Sequence, residues 1–420
     1  GGAGEMNYII ESLLDIDFYK FTMGQLIFHR YPDVPVKYAL KVRTKNVRLA
    51  THISEADLRR ELDHVQTLRF KNSELHYLRG TNEYSDRMFK EDYLEFLKNL
   101  ALPYYALVRV GDDYELTFEG LWAETIYWET IALAIINELY YRSLMSEKTP
   151  FEQEVVYATG KMRLAEKIKK LRANRQITFS DFGTRRRFSR EWQEYVVKIF
   201  VAEVPKQFLG TSNVLLAYKH NLLPMGTAAH ELDMGVSGIM HGSDEEIRAS
   251  HNKVLRDWWD EYGFGLSIAL TDTYGSDFFF SDMTKEQAEK WKGLRQDSGD
   301  PIEFGEKAIR FYKNHGIDPR AKFIVFSDGL DVDLMIKITN HFRNRIKFAF
   351  FKTTYGWGTN ATNDLGPDPI SMVIKLVESC GHGTVKLSDN LAKAMGKPED
   401  IERFKKIFGC TTTLNEECKY

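Results

Sequence analysis

The chain has 420 residues, 43% of them hydrophobic and 28% charged, which suits a soluble globular protein with a sizeable core and excludes the disordered class. Its 57 Lys and Arg against 60 Asp and Glu leave a formal charge of −3, so there is no broad basic footprint for nucleic acid or an anionic membrane. The longest apolar runs, such as Ile131 to Ile136, fall far short of the roughly 20 residues that span a bilayer.

Cys380, Cys410 and Cys418 lie in no CxxC spacing, which excludes a disulfide framework and a Cys-rich metal site. Nothing at the start resembles a signal sequence, and the residues before Met6 read as an added or processed leader. A reducing cytoplasm is the expected compartment. The length predicts two domains, an N-terminal α+β module over residues 1–150 followed by an α/β domain over 151–380.

In the first module, Val36 to Val42 alternates like a strand, while Ile126 to Leu144 has the apolar spacing of a buried helix. From about residue 176 the rhythm changes to short apolar runs: Ile177 to Phe182, Gln207 to Leu209, Leu266 to Leu270, Phe323 to Phe326, Ile346 to Phe350 and Met372 to Leu376. Helix-like stretches such as Glu191 to Val201 and Asp244 to Tyr262 fall between them. This alternation predicts parallel strands in a closed barrel or an open doubly wound sheet, and in both the site forms at the carboxyl ends of the strands. The Lys- and Glu-rich stretch from about Ser388 reads as a solvated helix face.

Strand ends are where the unusual residues fall. Asp181-Phe182-Gly183-Thr184-Arg185-Arg186-Arg187 places an aromatic ring beside a block of guanidinium groups, suited to stacking a flat ring and holding an anion. Phe208-Leu209-Gly210-Thr211-Ser212-Asn213-Val214 ends another run with hydroxyl groups, for which an N-cap at Thr211 or Ser212 is a sufficient explanation. His230, in Ala229-His230-Glu231-Leu232-Asp233-Met234-Gly235, is a lone imidazole flanked by acids. An unprotonated imidazole nitrogen attacks phosphorus, and a neighbouring carboxylate fixes its tautomer, with Glu231 and Asp233 as candidates. A helical zinc motif is excluded, because Met234 stands where a second His is required.

Arg295, Asp297, Ser298 and Gly299 share one turn before Pro301, and Ser327-Asp328-Gly329-Leu330-Asp331 closes the next apolar run. Two acidic, Gly-containing strand ends suit a phosphorylated sugar with Mg2+. Tyr355-Gly356-Trp357-Gly358-Thr359-Asn360-Ala361 formally satisfies a dinucleotide pattern, with Glu378 near the distance of a ribose-binding acid. Leu365-Gly366-Pro367-Asp368-Pro369 breaks the helix that such a fold needs, leaving the glycines as a phosphate nest. No GxxxxGK[ST] segment is present.

Taken in order, DIDFYKFTMGQ, DFGTRR, FLGTSNV, AHELDMG, LRQDSGDP, FSDGLD and YGWGTN resemble the nicotinate phosphoribosyltransferase family over about Leu14 to Phe408. The resemblance implies an irregular α/β barrel of the type II phosphoribosyltransferase kind, with an α+β domain on which the segment 381–420 packs. It implies an enzyme of NAD salvage that joins nicotinate to phosphoribosyl pyrophosphate and couples the reaction to ATP hydrolysis. The family is usually dimeric, with a shared active site.

By motif, the resemblance makes His230 the residue phosphorylated by ATP and Phe182 the ring that stacks on the pyridine. Tyr19 would be the opposing aromatic, supplied by the neighbouring subunit. Arg185, Arg186 and Arg295 are candidates for the nicotinate carboxylate and the phosphates. Ser212 would separate acid from amide substrates, since the related nicotinamide enzyme places an acid there. Asp297, Asp328, Gly329 and Asp331 would surround the ribose hydroxyls, with Asp297 and Asp328 holding magnesium. Gly356, Gly358 and Thr359 would cradle the 5′-phosphate, and Lys386 and Ser388 match a motif without an assigned role. The alternatives are a nicotinamide or other pyridine phosphoribosyltransferase, or a non-catalytic sensor of nicotinate mononucleotide.

Overall fold

The computed structural model describes residues 7–83, 86–328, 330–353, 364–367 and 370–410. Two sheets organise it. The first is antiparallel, in the order His382–Gly383, Met372–Ser379, Pro35–Val42, Asp113–Leu121 and Tyr105–Val110. The alternation read in Val36 to Val42 has a direct cause: Val36 and Tyr38 point into the core while Pro35 and Lys41 face solvent. Tyr38 lies between Phe118 on one neighbour and Leu376 on the other.

The second sheet has six parallel strands in the order Phe208–Thr211, Phe179–Phe182, Lys347–Thr353, Phe323–Phe326, Gly293–Gln296 and Ile268–Leu270. Among the described residues the two outermost strands do not pair with each other, so this is an irregular α/β barrel with an open seam. The strands are short and buried on both faces, which is why most of them read as continuous apolar runs. Gly293–Gln296 is equally buried yet carries Arg295 and Gln296, and no apolar run announced it.

Two expectations are corrected. The run Met372 to Leu376 is an antiparallel strand of the first sheet, paired with Pro35–Val42, and does not belong to the barrel. A short apolar run carries no information about its partner. The closing segment, beyond the short strand His382–Gly383, packs on the barrel side: Phe404, Ile407 and Phe408 bury against Ile247, Tyr274 and Phe278. The Tyr274 and Phe408 rings stack with centroids 4.1 Å apart.

The helix Trp128–Ser146 is buried almost all round and joins the two halves. Its Asn137 donates to the Arg185 carbonyl (2.6 Å), fixing the arginine-bearing turn. Among the described residues, no helix is long and apolar enough to cross a membrane.

His29, near the end of the helix Tyr19–Arg30, is clamped between Glu261 at 2.6 Å from Nδ1 and Asp92 at 2.9 Å from Nε2. Burial opposes the charged ring, but the bonds to Asp92 and Glu261 prevail and raise its pKa above 6.5. The stabilisation is therefore complete below the unfolded value and lost as pH rises through the raised one. His29→Gln is expected to destabilise the fold more at pH 6 than at pH 9 in denaturant titrations. An equal loss at both pH values would refute a charged clamp.

Candidate active site

The helix His230–Ile239 begins on the imidazole itself, at the end where unpaired backbone N–H groups favour negative charge. Gly235 lets this helix sit tight on the core, since a Cβ there would meet the Trp122 ring at 2.3 Å. His230 Nδ1 lies 2.9 Å from Thr273 Oγ1, and Thr273 donates to Asp233 Oδ2 at 3.0 Å. With its hydrogen committed to Asp233, the Thr273 oxygen accepts from Nδ1–H, which turns Nε2 toward the acids. Nε2 is 2.8 Å from Asp297 Oδ2 and 3.5 Å from Asp272 Oδ1. Glu231 does not orient the ring: it is buried against Lys20 (2.6 Å) and Tyr38 (2.5 Å).

Asp272, Asp297 and Asp328 follow the adjacent strands Ile268–Leu270, Gly293–Gln296 and Phe323–Phe326, so parallel pairing brings them together. Burial disfavours the charge on Asp297, but the His230 hydrogen bond and the nearby Arg295 and Lys393 cations outweigh it. They hold its carboxyl well below the usual range. Ser327 donates to its other oxygen at 3.0 Å. Of the two carboxylates expected to hold magnesium, Asp297 groups with Asp272 and His230, their ligand atoms within 4.8 Å of one another. Asp328 is turned instead onto the Lys393 ammonium, and burial raises its pKa despite that partner.

The cavity above these groups runs to the aromatic end of the site. Tyr19 and Phe182 line it together with Arg185, Arg186, Arg295 and Lys386. Seven Arg and Lys side chains face four acids across it, so the lining favours a polyanion. Burial depresses the pKa of both Arg295 and Lys386, and Arg295 Nε has no hydrogen-bond partner among the described residues. These are cations whose burial an anionic ligand would offset.

Tyr19 lines the cavity of its own chain, 5% exposed, with its hydroxyl donating to Asp17 at 2.9 Å. The expectation that a neighbouring subunit supplies this ring is thereby corrected. Arg185 Nε stands 3.7 Å from the same Asp17 carboxylate. The third arginine, Arg187, is structural, making a bidentate buried pair with Asp15 at 2.7 and 2.9 Å.

Ser212 is fully buried outside the cavity lining, its hydroxyl 2.5 Å from Asp17, so it does not touch a ligand there. Asp331 caps the helix Val332–Phe342 by accepting from Leu334 N (2.6 Å). Ser388 accepts from Asn390 N in the nearby loop and is not in the lining. Gly329, Gly356, Gly358 and Thr359 lie outside the described residues.

Three functional residues escaped the sequence reading. Asp272 and Thr273 end the strand Ile268–Leu270, and the rule that sites form at strand ends was a sufficient signal. Lys393 lies in the stretch read as a solvated helix face, yet its side chain is 15% exposed and lines the cavity.

Residues 177–412 match the model of the nicotinate phosphoribosyltransferase family, and residues 14–137 match that family's N-terminal domain. A crystal structure of nicotinate phosphoribosyltransferase from Porphyromonas gingivalis superposes with a TM-score of 0.83 at 31% identity, covering 96% of this chain and 100% of that one. One from Vibrio cholerae gives 0.85 at 33% identity, covering 96% of this chain and 94% of that one. With the family models matching most of its length, the chain belongs to the nicotinate phosphoribosyltransferase family.

Proposed function

We propose that the chain forms nicotinate mononucleotide and pyrophosphate from nicotinate and phosphoribosyl pyrophosphate, and that ATP drives the reaction by phosphorylating His230. The observation that carries this reading is one imidazole at a helix N-terminus, its Nε2 2.8 Å from Asp297, facing a cation-lined cavity whose far end holds Tyr19 and Phe182. Nothing in a non-catalytic sensor requires that ring to be held at both nitrogens.

The pyridine nitrogen brings its own lone pair, so bond formation at the anomeric carbon needs no general base. As the new C–N bond forms, the bond from carbon to pyrophosphate oxygen breaks and its electron pair leaves with the phosphates. Positive charge develops on the ribose ring, and neutralising the departing anion is the main task. Arg295 and Lys386 are placed to do so, while Tyr19 and Phe182 align the pyridine.

Arg185, beside Tyr19 and Asp17, is the group we assign to the nicotinate carboxylate. Acid-over-amide selection then rests on this cation, with Ser212 acting only through Asp17. The Asp272 and Asp297 carboxylates fit a divalent cation, because Asp272 Oδ1 is buried with no hydrogen-bond partner among the described residues. Magnesium held there would supply charge neutralisation to bound phosphates.

In the coupled step Nε2 first gives up its proton to solvent and then attacks the γ-phosphorus of ATP, and ADP leaves with the electrons of the broken P–O bond; water later cleaves the P–N bond, its oxygen going to the phosphate and its proton returning to Nε2. Nucleotide formation and pyrophosphate release, measured with nicotinate and with nicotinamide, test the reading. Nicotinate is expected to be preferred roughly 100-fold or more. Equal use of the amide would favour a broader pyridine enzyme, and release of no pyrophosphate from either would leave a binding protein.

We also propose a homodimer, supported by Phe151, Val155 and Met162, which stand exposed along one helix, Pro150–Arg172.

A further inference from the structure

Ten residues near the chain's end, Lys386 to Met395, form a closed loop whose two ends pair as an antiparallel bridge (Lys386 N to Met395 O 2.9 Å, Met395 N to Lys386 O 2.8 Å). The loop is tied down at several points. Leu387 N donates to the Thr273 carbonyl (2.7 Å), next to the His230 partner. Asp389 N donates to Ser298 Oγ (2.9 Å), and the Asp389 carboxylate accepts from Ser276 N at 2.7 Å and Ser276 Oγ at 2.5 Å. Ser298 in turn donates to the Asp272 carboxylate. The returning side of the loop, two residues before the bridge, delivers the Lys393 ammonium to Asp328 and to within 3.3 Å of the Asp297 carbonyl.

We propose that Lys393 is a catalytic residue of the phosphate half of the site, contacting the pyrophosphate that leaves the pentose, and that Asp389 is its positioning residue. The inference rests on the reaction proposed above. A lysine serving only the fold has little to gain here, because a largely buried ion pair offsets its own desolvation poorly and apolar packing is the usual equal. This one is placed where two adjacent parallel strands end, on the same cavity wall as Arg295 and Lys386. Its mount is built from groups away from the ligand, the arrangement that holds a reactive side chain to a fixed geometry. When the C–O bond to pyrophosphate breaks and the electron pair passes to the leaving oxygen, a compact ammonium at this point stabilises the new charge.

Inorganic pyrophosphate is the discriminating probe, since it carries neither ribose nor pyridine. Titrated by calorimetry into full-length protein, it is expected to bind Lys393→Met roughly 10- to 100-fold more weakly than wild type. The KM for phosphoribosyl pyrophosphate rises by a similar factor and that for nicotinate is unchanged. Lys393→Arg recovers part of the loss. Asp389→Ala produces the same selective loss from the far side of the loop, and serves also if Lys393→Met does not fold.

The double variant Asp328→Asn, Lys393→Met decides between this role and mere neutralisation of Asp328. The proposal requires that pyrophosphate stay weak; restoration to the wild-type value overturns it, as does wild-type affinity in Lys393→Met. Wild-type turnover measured alongside separates the two levels. Nucleotide formed by wild type with unaltered pyrophosphate binding in the variants defeats only this inference, whereas no nucleotide from wild type defeats the reaction and the inference together.

Discussion

Replacing His230 by Asn is expected to abolish stimulation by ATP while leaving a slow, ATP-independent formation of nicotinate mononucleotide. The imidazole is the group placed to accept a phosphoryl, with Nδ1 engaged by Thr273 and Nε2 facing the Asp272 and Asp297 acids. Asn can still bond to Thr273, but the lone pair of its amide nitrogen is delocalised into the carbonyl and does not attack phosphorus. Bond formation between pyridine and ribose does not use the imidazole, so the basal reaction survives. Parallel rate measurements with and without ATP check this, and equal stimulation of wild type and variant would remove His230 from the mechanism. The same ring gives Thr273→Val a defined effect, loss of the fixed tautomer, which Thr273→Ser should repair because it keeps the hydroxyl between Asp233 and Nδ1.

Asp297→Asn is expected to lower the coupled kcat/KM by roughly 100- to 1,000-fold, the scale of losing one preorganised electrostatic contact in an active site. Asn keeps the shape and a bond to Ser327 but loses the charge that faces His230, Arg295 and Lys393. Because those groups hold the native carboxyl far below its usual range, Asp297 is ionised throughout the working pH range. Its contribution to stability is present above the unfolded carboxylate value and is lost only in strong acid. An acid limb in the rate profile therefore belongs to another group. A wild-type coupled rate in this variant would place the essential acid elsewhere, with Asp272 next in line.

Much of the architecture was legible because local chemistry and tertiary context agree. Phe323–Phe326 and Asp244–Tyr262 have the limits their sequences predict. The helix is capped by Ser243 with Asp244, Glu245 and Glu246 in its first turn and ends at Gly263 with a positive φ of 65°. The convergence of Phe182, Arg185, His230, Arg295 and Asp297 on one cavity was likewise expected from strand-end positions, whereas Tyr19 was named only through the family resemblance and was expected from another subunit.

Other features depend on pairing that no local pattern records. Gly293–Gln296 is an interior strand whose Arg295 and Gln296 disguise it, because Arg295 lines the site while Gln296 donates to the Ser298 and Gly299 carbonyls of the turn that follows. Met372–Ser379 looks like a barrel strand until its antiparallel partner is known. Lys393 resembles a surface lysine in composition, while its loop, held by the Lys386–Met395 bridge and by bonds from Leu387 and Asp389 to Thr273, Ser276 and Ser298, carries it inward. Ser212 shows the converse: its motif suggested ligand contact, while Asp17, distant in sequence, claims its hydroxyl.

The phosphoryl transfer to His230 is tested most directly by incubating the protein with ATP labelled in its γ-phosphate and following the label on the chain. Protein-bound phosphate that is acid-labile, alkali-stable, absent from His230→Asn and discharged on adding nicotinate with phosphoribosyl pyrophosphate is the expected result. Label that survives acid, or that persists in His230→Asn, would contradict it.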